Sequence, residues 1–129
     1  MKLILGKLYK LSEDKINDKS VLDYLDGLTT IGPKERWDLL QFSKDFSGKL
    51  KDFEEMRNKY IKELGELVEI DGKEVTQVAE ANKEEFFKRL GELLDKEVDI
   101  YDFKFPLSKL GDLKAVDMAK LEDFINPDL

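Results

Sequence analysis

The chain has 129 residues, 41% of them hydrophobic and 40% charged. This is too apolar for a disordered segment, and the length suits one domain built on one core. It contains neither cysteine nor histidine, which excludes disulfides, thiolate nucleophiles and cysteine-ligated metals and removes imidazole as general base, metal ligand or proton relay. With 29 acidic against 22 basic residues and a net charge of −7, its long-range field repels phosphate backbones, so no direct nucleic-acid contact is expected.

The apolar run at Met1 to Leu5 is too short for a signal peptide or a membrane span, and Lys7 and Lys10 interrupt the apolar pattern after it. No membrane association is expected. Leu3 to Leu11 fits a short strand running into a turn, or one amphipathic helix, the helix being preferred. Ser12 to Lys19 reads as a polar loop. Ser20 or Asp18 can then cap a short helix over Val21, Leu22, Tyr24 and Leu25, ended by Gly27.

Gly32-Pro33 opens the strongest signal in the chain. Proline suits the first helical turn, and Glu35 favours the positive end of the helix dipole. Apolar residues then recur from Trp37 to Leu64 mostly at spacings of three and four, predicting one helix that stops at Gly65. Ser47-Gly48 is the place for a kink, or for two helices to meet.

Asp71-Gly72 is a pair favoured in two-residue hairpin turns, because both central positions need positive φ. The register it sets places Val68 opposite Val75, with Ile70 on the same face, and Glu69 opposite Glu74, giving a half-buried ribbon. Asn82 followed by Glu85 predicts a helix start, with Phe86, Phe87, Leu90, Leu93 and Leu94 buried and the end near Lys96. Glu97 to Ile100 alternates as a strand, and Phe103, Phe105 and Leu107 continue in the opposite phase, so a bulge or bend near Tyr101-Asp102 is expected, with Pro106 at an edge. Ala115 to Ile125 suggests a last short helix closed by Asn126-Pro127. The fold class is therefore α+β: one long helix, with a kink allowed at Gly48, and shorter helices packed on a small antiparallel β-sheet formed by the hairpin and the Glu97 to Phe105 strand.

No chemical motif stands out. Asp14 to Asp18 lacks the central Gly and the distal Glu of a calcium loop. Glu54-Glu55, Glu84-Glu85 and Glu122-Asp123 fall on solvent-facing helix surface. The Asp99/Asp102 pair beside Tyr101 is the one acidic set close to apolar sequence, and so the one place for a metal or acid/base site. The eight glycines are isolated, without the spacing of a phosphate-binding loop. No catalytic, cofactor-binding or metal-binding residues are assigned, and no cofactor is expected.

Contact with another protein is the remaining class. Trp37, beside Arg36 and Lys34, either packs against a neighbouring element or serves as an interface anchor, for which Trp and Arg are enriched. Phe42, Phe46, Phe53 and Tyr60 form a stripe whose ordinary role is core. A helix this long in so short a chain is hard to cover, so part of the stripe can meet a second copy or another protein. Trp37, Arg36, Phe42, Phe46, Phe53 and Tyr60 are the candidate interface residues.

The stretches Leu50 to Gly65, Glu84 to Ile100, Leu107 to Gly111 and Leu121 to Ile125 resemble a group of small bacteriophage and prophage proteins without assigned activity. The resemblance covers most of the chain after residue 48; this sequence departs from the group before residue 48, where Asp14 to Thr30 is its own, and near Tyr101-Asp102, where one residue is inserted, and the resemblance carries over no functional residues. It implies a phage setting, in the host cytoplasm or in the virion. The function expected is that of a non-catalytic virion or assembly component of the tail or head-tail region, acting through a protein partner and capable of forming a homo-oligomer. The alternative is a small acidic inhibitor that imitates nucleic acid to occupy a basic cleft on a host enzyme or defence protein. The interspersion of 22 basic residues weighs against such a mimic.

Overall fold

Pro33 at the first helical position and the Glu35 carboxylate, which accepts from the Gly32 backbone N–H at 3.2 Å, start a helix at the expected residue. In the computed structural model, which describes residues 1–127, that helix is α3 (Pro33–Leu64), 32 residues and about 48 Å long at 1.5 Å per residue. It runs uninterrupted through Ser47-Gly48, so neither a break nor a second helix occurs there.

The other elements are laid along this rod. The N-terminal segment is both of the offered alternatives in sequence: β1 (Lys2–Ile4) leads directly into α1 (Leu5–Glu13). The polar stretch expected as a loop is a miniature hairpin, β2 (Lys15–Ile16) with β3 (Lys19–Ser20). Its turn residues Asn17 and Asp18 both have positive φ, a conformation their short polar side chains tolerate, and Ile16 is thereby driven into the core. The Ser20 hydroxyl accepts from the Asp23 N–H at 3.2 Å and caps α2 (Val21–Asp26).

Beyond α3, the hairpin β4 (Gly65–Ile70) and β5 (Lys73–Val78) has the expected register, with Val68 opposite Val75 and Glu69 opposite Glu74. Helix α4 (Lys83–Leu94) follows, then β6 (Glu97–Asp99), β7 (Phe105–Pro106), α5 (Ala115–Lys120) and β8 (Ile125–Asn126). The molecule is α+β as expected, but its strands do not join into one sheet. The hairpin pairs only with itself, β6 pairs antiparallel with β1, and β7 pairs in parallel with β8. The predicted last helix stops at Lys120. Phe124 can then enter the core, and Ile125 can pair with Phe105.

The core lies between the first half of α3, α1, α2 and the C-terminal third of the chain. Its centre is aromatic. The Phe42 ring lies 5.6 Å from Phe46, 5.1 Å from Phe103 and 5.1 Å edge-on from Phe124, and Phe103 lies 5.0 Å from Phe105. Phe42 is fully buried, with Leu8 and Leu110, and no polar or charged residue is buried among the described residues.

Candidate contact surfaces

Of the six candidate interface residues, three belong to the chain's own interior. Phe42, Phe46 and Phe53 are 0%, 6% and 2% exposed and cannot reach a partner. They occupy the face of α3 that α1 and the C-terminal segment cover, so the rod is coated over a greater length than its sequence suggested. Arg36 is engaged within the chain: its guanidinium donates to the Asp26 carbonyl at 2.8 Å and the Leu28 carbonyl at 3.1 Å, closing the end of α2. Tyr60 is half-buried beneath Arg89, whose guanidinium lies 5.7 Å from the ring centre and reaches Glu63 at 2.9 Å and Glu85 at 3.0 Å. Trp37 alone of the six stands largely free, at 60% exposed, with Leu40 one turn on at 46%.

The acidic pair beside Tyr101 does not form a site. Asp99 lies on β6 opposite Lys2, Asp102 is on the following loop, and both are exposed. Two aspartates of α3 that the sequence reading passed over hold this loop instead. Asp45 accepts from the Tyr101 backbone N–H at 2.8 Å, and Asp38 accepts from its hydroxyl at 2.9 Å. That hydrogen bond to Asp38 is the main reason the phenol is held above its ordinary range, with desolvation adding to it. Asp38 and Asp45 lie seven residues apart on one face of α3, interleaved with the aromatic stripe, and this spacing was the available signal. Nearby, Lys109 binds Glu35 and holds its carboxyl below the usual carboxylate range. Among the described residues, no group of three or more acidic side chains is placed to hold a metal ion.

The sequence reading also missed the exposure at the far end of α3. The hairpin was expected to be half-buried. In fact Ile70 and Val75 are 48% and 38% exposed on the face that carries Val68, and Leu67 is 69% exposed on the other. Only its base is held. Gly65 allows β4 to leave α3 at once, because a Cβ there would lie 2.8 Å from Thr76 Cγ2 and 2.9 Å from the Gln77 carbonyl. Asn82 stands at the N-cap position of α4 as expected, but its side chain makes no cap bond there and serves the end of α3: its Nδ2 donates to the Leu64 carbonyl at 3.1 Å, beside the Ala79 N–H at the same distance.

Phe87, expected in the interior, is 63% exposed. Phe86, Leu90, Leu93 and Leu94 form the stripe that α4 turns inward, and Phe87 lies about 100° around the helix from Phe86, where no element covers it. Between hairpin and helix runs a groove of about 280 Å³ floored by Val78 and Phe86 and walled by Glu66, Gln77 and Phe87.

No protein-family model, curated protein or solved structure matches this chain. Among the described residues, no helix is long and apolar enough to cross a membrane.

Proposed function

We propose that this chain is a non-catalytic protein that works by binding another protein. The observation that carries this reading is the half-covered lobe formed by β4, β5 and α4. There Ile70 and Val75 on one face of the hairpin, Leu67 on its other face and Phe87 on the neighbouring α4 keep 38% to 69% of their surface in water. Large side chains exposed together on so small a chain mark an interaction site more often than a stability feature. The phage setting, and with it the role of a virion or assembly component of the tail or head-tail region, is supported by the resemblance of the Leu50 to Gly65 and Glu84 to Ile100 stretches. Nucleic-acid mimicry is the weaker reading, because the acids of this lobe alternate with exposed aliphatic and aromatic side chains that a phosphate backbone would not match.

The test is association in the cell that makes the protein. The tagged chain should copurify with phage particles or their assembly intermediates at a fixed stoichiometry. Replacing Ile70 and Phe87 together by serine should remove it from them. A chain absent from both fractions and strictly monomeric at high concentration overturns the proposal.

A further inference from the structure

The strand register sorts the hairpin's side chains onto two faces. One carries Glu66 and Gln77 at the base, Val68 and Val75 in the middle, and Ile70 and Lys73 at the tip. The other carries Leu67, Thr76 and the facing acids Glu69 and Glu74, which are therefore turned away from the first. At the base of the first face lies the groove against α4, floored by Val78 and Phe86 and walled by Glu66, Gln77 and the 63% exposed Phe87. Glu80 on its rim is already bound to Lys83 at 2.6 Å, whereas among the described residues neither Glu66 nor Lys73 has an ion-pair partner. The two ends of one face are thus opposites: a recess with apolar walls and a free acid at the base, and the 48% exposed Ile70 beside a free cation at the tip. Glu66 and Lys73 stand four residues apart along the ribbon, about 13 Å at 3.3 Å per residue, too far to meet within one chain. Exposed Glu84 and Lys88 on α4 are likewise of opposite sign, so a second copy approaching this face meets no field of its own sign.

Resting on the contact reading above, we infer that the groove is the seat for the hairpin tip of a second copy of this chain. Two copies pack base to tip about a two-fold axis. Ile70 of each enters the groove of the other beside Phe87, and Lys73 of each meets Glu66 of the other. Charge fixes this orientation, because base-to-base packing would set acid against acid at one end and cation against cation at the other. Glu69 and Glu74 stay in water on the outer face. Burial of Ile70 and Phe87 supplies the binding energy, and the two ion pairs supply the register.

The test is analytical ultracentrifugation of the full chain. The contact is small, so a monomer–dimer equilibrium is expected between micromolar and millimolar concentration. Ile70→Ser and Phe87→Ser should each weaken it roughly tenfold or more, because a symmetric pair loses every contact twice. Lys73→Glu and Glu66→Lys should each weaken it roughly threefold to tenfold, by setting like charges together at both ends. An equimolar mixture of those two variants should regain the parent's association, since in the mixed pair both ends join opposite charges. Trp37→Ser should change nothing. All five positions are exposed, and an unchanged thermal midpoint at a concentration where the chain is monomeric verifies each fold. A parent chain that stays monomeric, Ile70 and Phe87 variants that associate as the parent does, or a mixture of charge variants no tighter than either alone each overturns the inference. If the parent stays monomeric while Ile70→Ser with Phe87→Ser still removes it from particles, the groove belongs to a different protein, and the contact reading survives the loss of the dimer.

Discussion

Phe42 is the side chain on which the interior turns, because it has no exposed surface and touches rings contributed by α3, by the loop before β7 and by the segment after α5. Phe42→Ala removes those contacts and leaves a cavity that the long rod cannot collapse into, so unfolding by urea should show a loss of about 3–5 kcal/mol. At the surface, Glu35 joins the start of α3 to Lys109, seventy-four residues on. Its carboxyl is held low in the folded chain, mainly by the Lys109 hydrogen bond. The folded value lies below the unfolded one, so the unfolded chain binds the proton more readily. The contribution is complete above the ordinary carboxylate range and is lost as pH falls through the folded value. Glu35→Gln should therefore lower the thermal midpoint at neutral pH and flatten its decline between roughly pH 5 and pH 3, the range around the ordinary carboxylate value. An acid limb as steep as in the parent chain would show that the pair does not contribute. Trp37 gives a third reading at this scale: as the single tryptophan, 60% exposed, it should emit near the wavelength of the unfolded chain and be readily quenched by acrylamide.

Two glycines of the same long element have opposite roles. Gly48 lies exposed in the middle of α3 with no other atom near the position of a Cβ, so Gly48→Ala should stabilise the chain by roughly 0.5–1 kcal/mol through helix propensity alone. Gly65 lies where α3 becomes β4, and a Cβ there runs into the Ile61 carbonyl, Thr76 and Gln77, so Gly65→Ala should cost roughly 1–3 kcal/mol by forcing the hairpin off its base. Paired thermal melts check both signs. The elements were legible in the sequence where a local rule decided them: Pro33 and Gly65 bound the rod, Asp71-Gly72 sets the hairpin register, and Ser20 caps α2. They were illegible where a distant partner decided. Nothing near Leu3 announces that it will pair with Val98, and Asn82 stands at the N-cap of its own helix while its side chain binds the end of the previous one. Among the candidate interface residues, Phe42, Phe46 and Phe53 satisfy helical periodicity equally well facing a core or a partner, and the choice depends on how far the C-terminal third reaches along α3. The exposure of the hairpin was hidden for a related reason: its register was readable, but whether another element would cover it was not.

At the scale of the whole molecule, the rod links two regions of unequal cohesion. The first half of α3 is buried among α1, α2 and the aromatic C-terminal third, whereas the second half carries a hairpin whose strands have no other partner strand. Phe86, the buried side chain of α4, lies outside the main core cluster, so the far region has only a small apolar contact of its own. Free energies of opening scale with buried apolar contact, and the two regions should therefore open at different costs. Native-state hydrogen exchange is expected to show amides of β4 and β5 exchanging through a sub-global opening at low denaturant, while amides of α3 near Phe42 exchange only with global unfolding. Such a gradient suits a chain that holds one end rigid and presents the other, because ordering the hairpin on binding would draw on flexibility that the core does not have to give up. The same experiment on the Ile70→Ser variant separates stability from recognition: Ile70 is half in water already, so the opening free energy should barely change. A large drop would mean that Ile70 holds the hairpin in place and is not free to anchor a partner.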